Sequence, residues 1–417
     1  MKRSLSRSPL LAVLIGALLV AGTAAAPALA TSPVVSTKAS SPSCGDMITV
    51  NTTLHSDLIN CPGNGIVMGA DNITLNLNGH TLAGVGVSST CAPSQDCDAG
   101  VDNLAGHSGV MILGGTILGF RFGVRARGVH DNVVEDVSAS HNARFGIFVQ
   151  NSTETSIEGS SMSGNGISGL LLTDSQDSSL RSNSVTGSHG YGIFLRNVSD
   201  SLVHDNTLVG NDHGIGGEGL AHDSIRGNSI SHSGGSSLDV GGTNNRIEHN
   251  RLSENGDGIV TPGDNNLISY NVISGTGFYG FPDAGGFGLI LDGAKHTTVI
   301  GNSITGGRGP AIYVTSLDSP TPSRDNEISR NVANSRLDTG IIVDNGATGT
   351  VIERNRASGN GDDGIRVSVA STTLTGNIAN NNKDLGIEAV PGVVDGGGNR
   401  AAGNGNPAQC LNIVCLP

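Results

Sequence analysis

Residues 180–206 read LRSNSVTGSHGYGIFLRNVSDSLVHDN, and this stretch holds one full period of a repeat. It opens on Leu180-x-x-Asn183 and closes on Val203-x-x-Asn206, with Gly192-Ile-Phe-Leu195 between them. The same apolar-x-x-Asn signature returns at Asn228, Asn250, Asn271, Asn302, Asn331, Asn355 and Asn377, at intervals of 22, 22, 21, 31, 29, 24 and 22 residues. The two long intervals carry insertions near 278–288 and 316–324. The glycine-led apolar run also recurs, as Gly146-Ile-Phe-Val149, Gly169-Leu-Leu-Leu172, Gly288-Leu-Ile-Leu291 and Gly340-Ile-Ile-Val343. Each unit therefore reads as two or three strands of three to five residues separated by Asn, Gly, Asp and Ser turns. Strands so short cannot stand alone. They become stable when the chain winds into a solenoid and each strand pairs with its equivalent one coil away.

Composition supports this reading. The 417 residues include 63 Gly and 38 Asn, with only 14% charged and 3% aromatic residues and no Trp. Gly and Asn are poor helix formers that tolerate positive φ, so helical bundles and α/β folds are excluded. A hydrophobic content of 36% argues against disorder, and the absence of a three-residue glycine period excludes collagen. The formal charge of −13 makes nucleic acid and anionic membranes poor partners.

The repeat resembles that of right-handed parallel β-helices, shared by pectate lyases, polygalacturonases, alginate epimerases and the periplasmic nitrous-oxide-reductase accessory proteins of the NosD type. The segment from Asp71 to Leu82, DNITLNLNGHTL, is similar to the first coil of such proteins. The resemblance spans roughly residues 60–390 and implies an all-β fold of about 13 to 15 coils of ~22 residues. In such a helix the repeated asparagines, from Asn183 to Asn377, are expected to stack as an amide ladder.

The chain ends read differently. Lys2, Arg3 and Arg7 precede an apolar stretch from Leu10 to Val20 and a small-x-small site at Ala28–Ala30, the pattern of a signal peptide over 1–30. A flexible segment is expected over 31–43, an N-terminal cap over 44–65, the β-helix over 66–390 and a C-terminal cap over 391–417. Export permits disulfides, and local closure favours Cys44–Cys61, Cys91–Cys97 and Cys410–Cys415. No later apolar run is long enough for a membrane span, and a secreted or periplasmic monomer is expected.

Coils about 4.8 Å apart restrict a functional site to a few neighbouring coils. In the glycine-led strand, one outward column reads Arg125, Phe148, Leu171, Phe194, Gly216, Asp239, Val260, Ile290, Tyr313, Ile342, Arg366 and Glu388. The next reads Arg127, Gln150, Thr173, Arg196, Glu218, Gly241, Thr261, Asp292, Thr315, Asp344 and Ser368. Aromatic rings beside polar groups suit a sugar-stacking groove, unless the loops at 84–100 and 278–288 cover them. Arg196, Glu218 and Asp239 fall on successive coils and are the candidate catalytic set: the two carboxylates are spaced for glycosidase chemistry or, alternatively, for holding Ca²⁺. No cofactor is otherwise required. Arg121, Arg125, Arg127 and Arg144, with Phe148 and Phe194, are the candidate binding set, the arginines matching an acidic polysaccharide. Family signatures are incomplete. Gly361-Asp-Asp-Gly364 resembles the polygalacturonase aspartates, but His189 and His213 lie six or more coils away; Tyr279-Gly-Phe-Pro-Asp283 resembles the alginate-epimerase run with its histidine replaced by Ala284. The expected function is binding, with cleavage or modification as its extension, of an extracellular polysaccharide. The alternatives are a non-catalytic envelope scaffold or adhesion protein and a NosD-like accessory protein for metalloenzyme maturation.

Overall fold

A computed structural model describes residues 41–86, 98–279, 285–317 and 320–417. The expected signal peptide and the pair Cys91–Cys97 lie outside the described residues. Within them the chain is all-β, and every strand pairing is parallel between coils, as a solenoid requires. A typical coil contributes one longer strand, such as Phe145–Gln150, and two three-residue strands, such as Ser156–Glu158 and Ser161–Ser163. Among the described residues the longer strands stack into one sheet of 16 strands, running from Asp46–Ile48 at one end to Cys410–Leu411 at the other. The first of these belongs to the segment read as a cap. Asp46–Ile48 pairs with Ile66–Met68, so residues 44–65 already form a coil. Likewise Cys410–Leu411 continues the stack onto Ile387–Glu388.

The short strands show why the repeat has its spacing. Each buries its second residue while the first and third are in most of them half-buried or exposed, and the buried residues align coil upon coil. Ile157, Leu180, Val203, Ile225, Ile247 and Ile268 form one such column, all fully buried. Burying a Leu or Ile side chain contributes roughly 1.5–3 kcal/mol, so the narrow core is a stack of equal apolar layers. Cys44–Cys61 and Cys410–Cys415 close local loops in the first and last coils.

The asparagines form the expected ladder. The Nδ2 group of Asn183 donates to Oδ1 of Asn206 at 3.0 Å, and the same bond repeats through Asn228, Asn250, Asn271, Asn302, Asn331, Asn355 and Asn377 to Asn399, at 2.9–3.2 Å. Each amide also serves the backbone. Asn228 donates from Nδ2 to the Val203 carbonyl at 3.0 Å, and its main-chain N–H donates to Oδ1 of Asn250 at 2.9 Å. The turn thus satisfies buried polar groups that would otherwise each cost about 1–3 kcal/mol. The 31-residue interval between Asn271 and Asn302 keeps the rung, so the insertion leaves the stack without breaking it.

Two charged side chains stand in further polar rows among neutral amides and hydroxyls. A second polar row contains Asn142–Asn165 and Asn360–Asn382–Asn404, and Arg336 stands in it, its N–H donating to Asn360 as an asparagine would. Its buried guanidinium donates to the carbonyls of Gly309, Gly306, Gly286 and Pro310 and to Thr276 Oγ1, tying the large insertion to the stack. Burial pushes its pKa down to about 10. In a third row Asp223 lies between Ser201 and Asn245, where neighbouring coils use neutral side chains. Burial pushes this carboxyl up to about 7, against the pull of hydrogen bonds from Ser201 and Ala221.

Asn250→Ala is expected to lower stability by about 1–3 kcal/mol in a denaturation experiment, because it orphans groups on two coils. Asp223→Asn should act in the opposite direction. The folded pKa lies above the unfolded 3.8, so the wild-type protein loses stability as pH rises from about 4 through about 7. The melting temperature of the variant should exceed that of wild type at pH 8 and lose much of this advantage at pH 4.

Candidate functional site: an aromatic cleft on the long sheet

The site is built on the strands that begin with the glycine motif. Their glycines sit where successive coils approach most closely. A Cβ at Gly123 would lie 2.4 Å from the Gly146 carbonyl oxygen, at Gly146 2.7 Å from that of Gly169, and at Gly169 2.8 Å from that of Gly192. Only small residues fit this column, which holds glycine in most coils and Ser237 and Ala311 in two. The residue before each glycine stands at the corner where the strand begins, and these residues form a further row: Phe122, Phe145, Ser168, Tyr191 and His213. Sequence reasoning missed this row, although its signal was present as the residue preceding each Gly-Ile pair.

The predicted outward column is found in register. Arg125, Phe148, Leu171, Phe194, Gly216, Asp239, Val260, Ile290 and Tyr313 pair successively across coils. The second column needs one correction. Thr261 pairs with the inward Leu291 and is fully buried, because it follows the outward Val260 directly and side chains alternate.

Phe122, Phe145 and Phe148 pack with centroids 5.5–5.9 Å apart, and Tyr191 stacks on Phe194 at 4.7 Å and meets the His213 ring at a tilt at 4.9 Å. The phenylalanine and tyrosine rings, with Leu171, Ser168, Arg144 and Arg196, line a cleft of about 590 Å³, a volume in the ordinary range for small-ligand sites. Phe122 and Phe145 are its buried floor, whereas Phe148, Tyr191 and Phe194 remain partly exposed. No described residue of the loops at 84–100 or 278–288 lines it.

The predicted arginine set separates. Arg125 is 1% exposed, and its guanidinium donates from Nε and NH2 to the two carboxylate oxygens of Asp102 at 3.1 and 2.9 Å. It is therefore a buried ion pair and not a surface for anions. Asn64 donates to the same carboxylate at 2.8 Å. Arg121 is also buried. Arg127 is exposed, and Arg144 lies over the Phe122 and Phe145 rings at 5.7 and 5.3 Å, on the wall of the cleft.

Arg196, Glu218 and Asp239 fall on three successive long strands, as expected. Arg196 points along the cleft wall, with Nε donating to Thr173 Oγ1 at 3.3 Å. Tyr191, Phe194 and His213 join them. The Tyr191 hydroxyl donates to Oδ2 of Asp239 at 3.4 Å, two coils away, and the Ser236 N–H donates to His213 Nδ1 at 3.3 Å. Burial raises the Asp239 carboxyl above its usual range, opposed by His213 and by the Tyr191 hydrogen bond. The Tyr191 hydroxyl is pushed up to about 12 by burial and then by the charges of Asp239 and Glu218.

A separate acidic group was only half legible. Asp362 and Asp363 meet Asp384 of the next coil, with a carboxylate oxygen from each within 4.8 Å of the others, close enough to hold a divalent cation. Asp363 is pushed up to about 7, first by burial and then by Asp362 and Glu388. This group lies seven coils from Tyr191, about 34 Å along the axis, and so cannot share chemistry with the cleft.

Comparison with known proteins agrees with the architecture. Residues 59–233 match the protein-family model described as periplasmic copper-binding protein (NosD), and residues 221–379 and 283–408 match the right handed beta helix region. No curated protein matches the chain. Among solved structures, the catalytic unit of an α-1,3-glucanase from Streptomyces thermodiastaticus is 16% identical with a TM-score of 0.55, covering 72% of this chain and 63% of its own. The tailspike protein of E. coli bacteriophage HK620, in complex with a pentasaccharide, is 13% identical with a TM-score of 0.42, covering 89% and 73%. The periplasmic alginate epimerase AlgG is 13% identical with a TM-score of 0.42, covering 79% and 76%. The chain is a right-handed parallel β-helix repeat protein.

Arg125→Ala should destabilise the protein by about 3–5 kcal/mol, because it leaves Asp102 buried without its partner. Arg144→Ala, which removes a partly exposed cation–π contact, should cost about 0.5–1 kcal/mol. Chemical denaturation of the two variants side by side distinguishes an ion pair inside the fold from an arginine lining a binding surface.

Proposed function

We propose that the protein binds a polysaccharide outside the cytoplasm, in the cleft between Phe148, Tyr191 and Phe194. The observation that carries this reading is the arrangement of partly exposed rings on one face of a rigid sheet, Tyr191 stacked on Phe194 within one coil and Phe148 two coils away across Leu171, flanked by Arg144, Ser168 and Arg196. Such a surface offers apolar faces for sugar rings and polar groups for their hydroxyls. The solenoid extends it along one axis, which suits a chain ligand better than a compact one. The disulfides Cys44–Cys61 and Cys410–Cys415 fit an oxidising compartment. Among the described residues no helix is long and apolar enough to cross a membrane.

The single substitutions Phe148→Ala and Phe194→Ala should each weaken glycan binding by about 1–2 kcal/mol, or roughly 5- to 30-fold, as expected for losing part of a buried aromatic surface. Leu337→Ala, at an exposed position far along the helix, should leave affinity unchanged. Affinity electrophoresis or calorimetry against a glycan panel measures both. Equal affinity in all three variants would place the ligand elsewhere.

A further inference from the structure

We propose that Asp239 and Glu218 are the acid and base of a glycoside-hydrolysing centre at the end of the aromatic cleft, acting on a neutral polysaccharide. This rests on the reading of the cleft as a glycan site and adds to it a reaction and a substrate class.

Three features assemble this centre. First, the outward column that carries Leu171 and Phe194 changes to Gly216 on the next coil. A Cβ at Gly216 would lie 2.3 Å from the Tyr191 ring, so only glycine lets Tyr191 lean across that coil and reach Asp239 on the one beyond. Second, the strand pairing slips between Gly217 and Leu220, with Gly219 at a φ of +64°. The slip is confined to this pairing among the cleft strands and carries Glu218 at its crest. Irregularities of this kind re-aim side chains next to active sites. Third, the His213 ring, on the same strand as Gly216, packs at a tilt against the Tyr191 ring and accepts the Ser236 N–H, which holds the tyrosine over the Gly216 notch.

The two carboxyls are left in different surroundings. Asp239 is half-buried, receives the Tyr191 hydroxyl and retains its proton more readily than an ordinary aspartate, whereas Glu218 is exposed to water. That contrast assigns the roles. With a glycosidic linkage over Asp239, its carboxyl passes its proton to the bridging oxygen as the bond from that oxygen to the anomeric carbon breaks. A water molecule bonds to the anomeric carbon and gives its proton to Glu218. One water is consumed, one reducing end and one hydroxyl are released, and exchange of a proton with solvent restores both carboxyls. Glu218 and Asp239 are diagonal neighbours on adjacent strands, about 7–8 Å apart at the backbone, from which their carboxyl groups can reach the separation that leaves room for the water of an inverting reaction.

Charge selects the substrate. Beyond the aromatic platform the chain ligand would run over Glu218 and Asp239; of the arginines expected to meet an acidic sugar, Arg121 and Arg125 are buried, Arg125 being held by Asp102, and Arg144, like Arg196, lies back along the cleft wall. A uronate laid there would meet like charge at close range, whereas a neutral sugar would not.

The test uses the full chain with soluble neutral α- and β-linked glucans and, separately, polygalacturonate and alginate. Binding and release of reducing ends are measured in parallel. Reducing ends should appear from a neutral glucan, and Asp239→Asn and Glu218→Gln should each slow release at least about 100-fold while glycan binding persists, which also reports that the variants are folded. Binding without any release of reducing ends by the wild-type protein would overturn the hydrolytic centre and leave the binding site standing. Undiminished release by both variants would overturn the assignment, and cleavage confined to the two acidic polymers would overturn the substrate class. Failure to bind any of the four polymers would remove the glycan reading itself.

Discussion

The structure depends on keeping equivalent residues one above another over some fifteen turns, and the asparagine ladder is what fixes that register. Each amide donates to the amide of the next coil and to a carbonyl of the previous one, so a slip of one residue would break bonds on three coils at once. Apolar columns alone would not be so exacting, since Ile, Leu and Val substitute for one another at modest cost. The ladder also explains how insertions are tolerated. Asn271 and Asn302 remain bonded across 31 residues, and Arg336 then anchors the emerging chain through its carbonyl contacts.

A fixed register turns sequence columns into surfaces. On the long sheet, the glycine column brings successive coils together, and the residue before each glycine is presented at the corner of the coil. Two rows of aromatic side chains consequently meet in one cleft. Where the pattern is interrupted, at Gly216 and at the slip around Glu218, polar groups from three coils converge. The scaffold is uniform by necessity, so departures from uniformity on its outer face, unlike the buried Arg336 and Asp223, are where a site can be sought.

Much of this was legible in the sequence, and the boundary of legibility has a physical cause. The ladder from Asn183 to Asn377 and the outward column from Arg125 to Tyr313 follow from period and strand alternation, which are properties of the backbone. Thr261 was misplaced because its strand was counted one residue short of the alternation. The row containing Phe122, Phe145 and Tyr191 was missed because corner residues obey neither the inward nor the outward rule. Arg125 could not be separated from the other arginines, because its partner Asp102 belongs to a neighbouring coil whose pairing register is set by folding. Pairwise contacts such as Tyr191 to Asp239 are beyond a repeat analysis, since they depend on a side chain crossing a coil.

The central claim is that the ring-lined cleft on the long sheet holds a polysaccharide chain. A crystal structure of the protein soaked with a neutral oligosaccharide tests it most directly. The account predicts sugar rings stacked against Phe148, Phe194 and Tyr191, with the chain running along the helix axis toward Asp239. An oligosaccharide ordered on another face of the helix, with this cleft left to solvent, would contradict it.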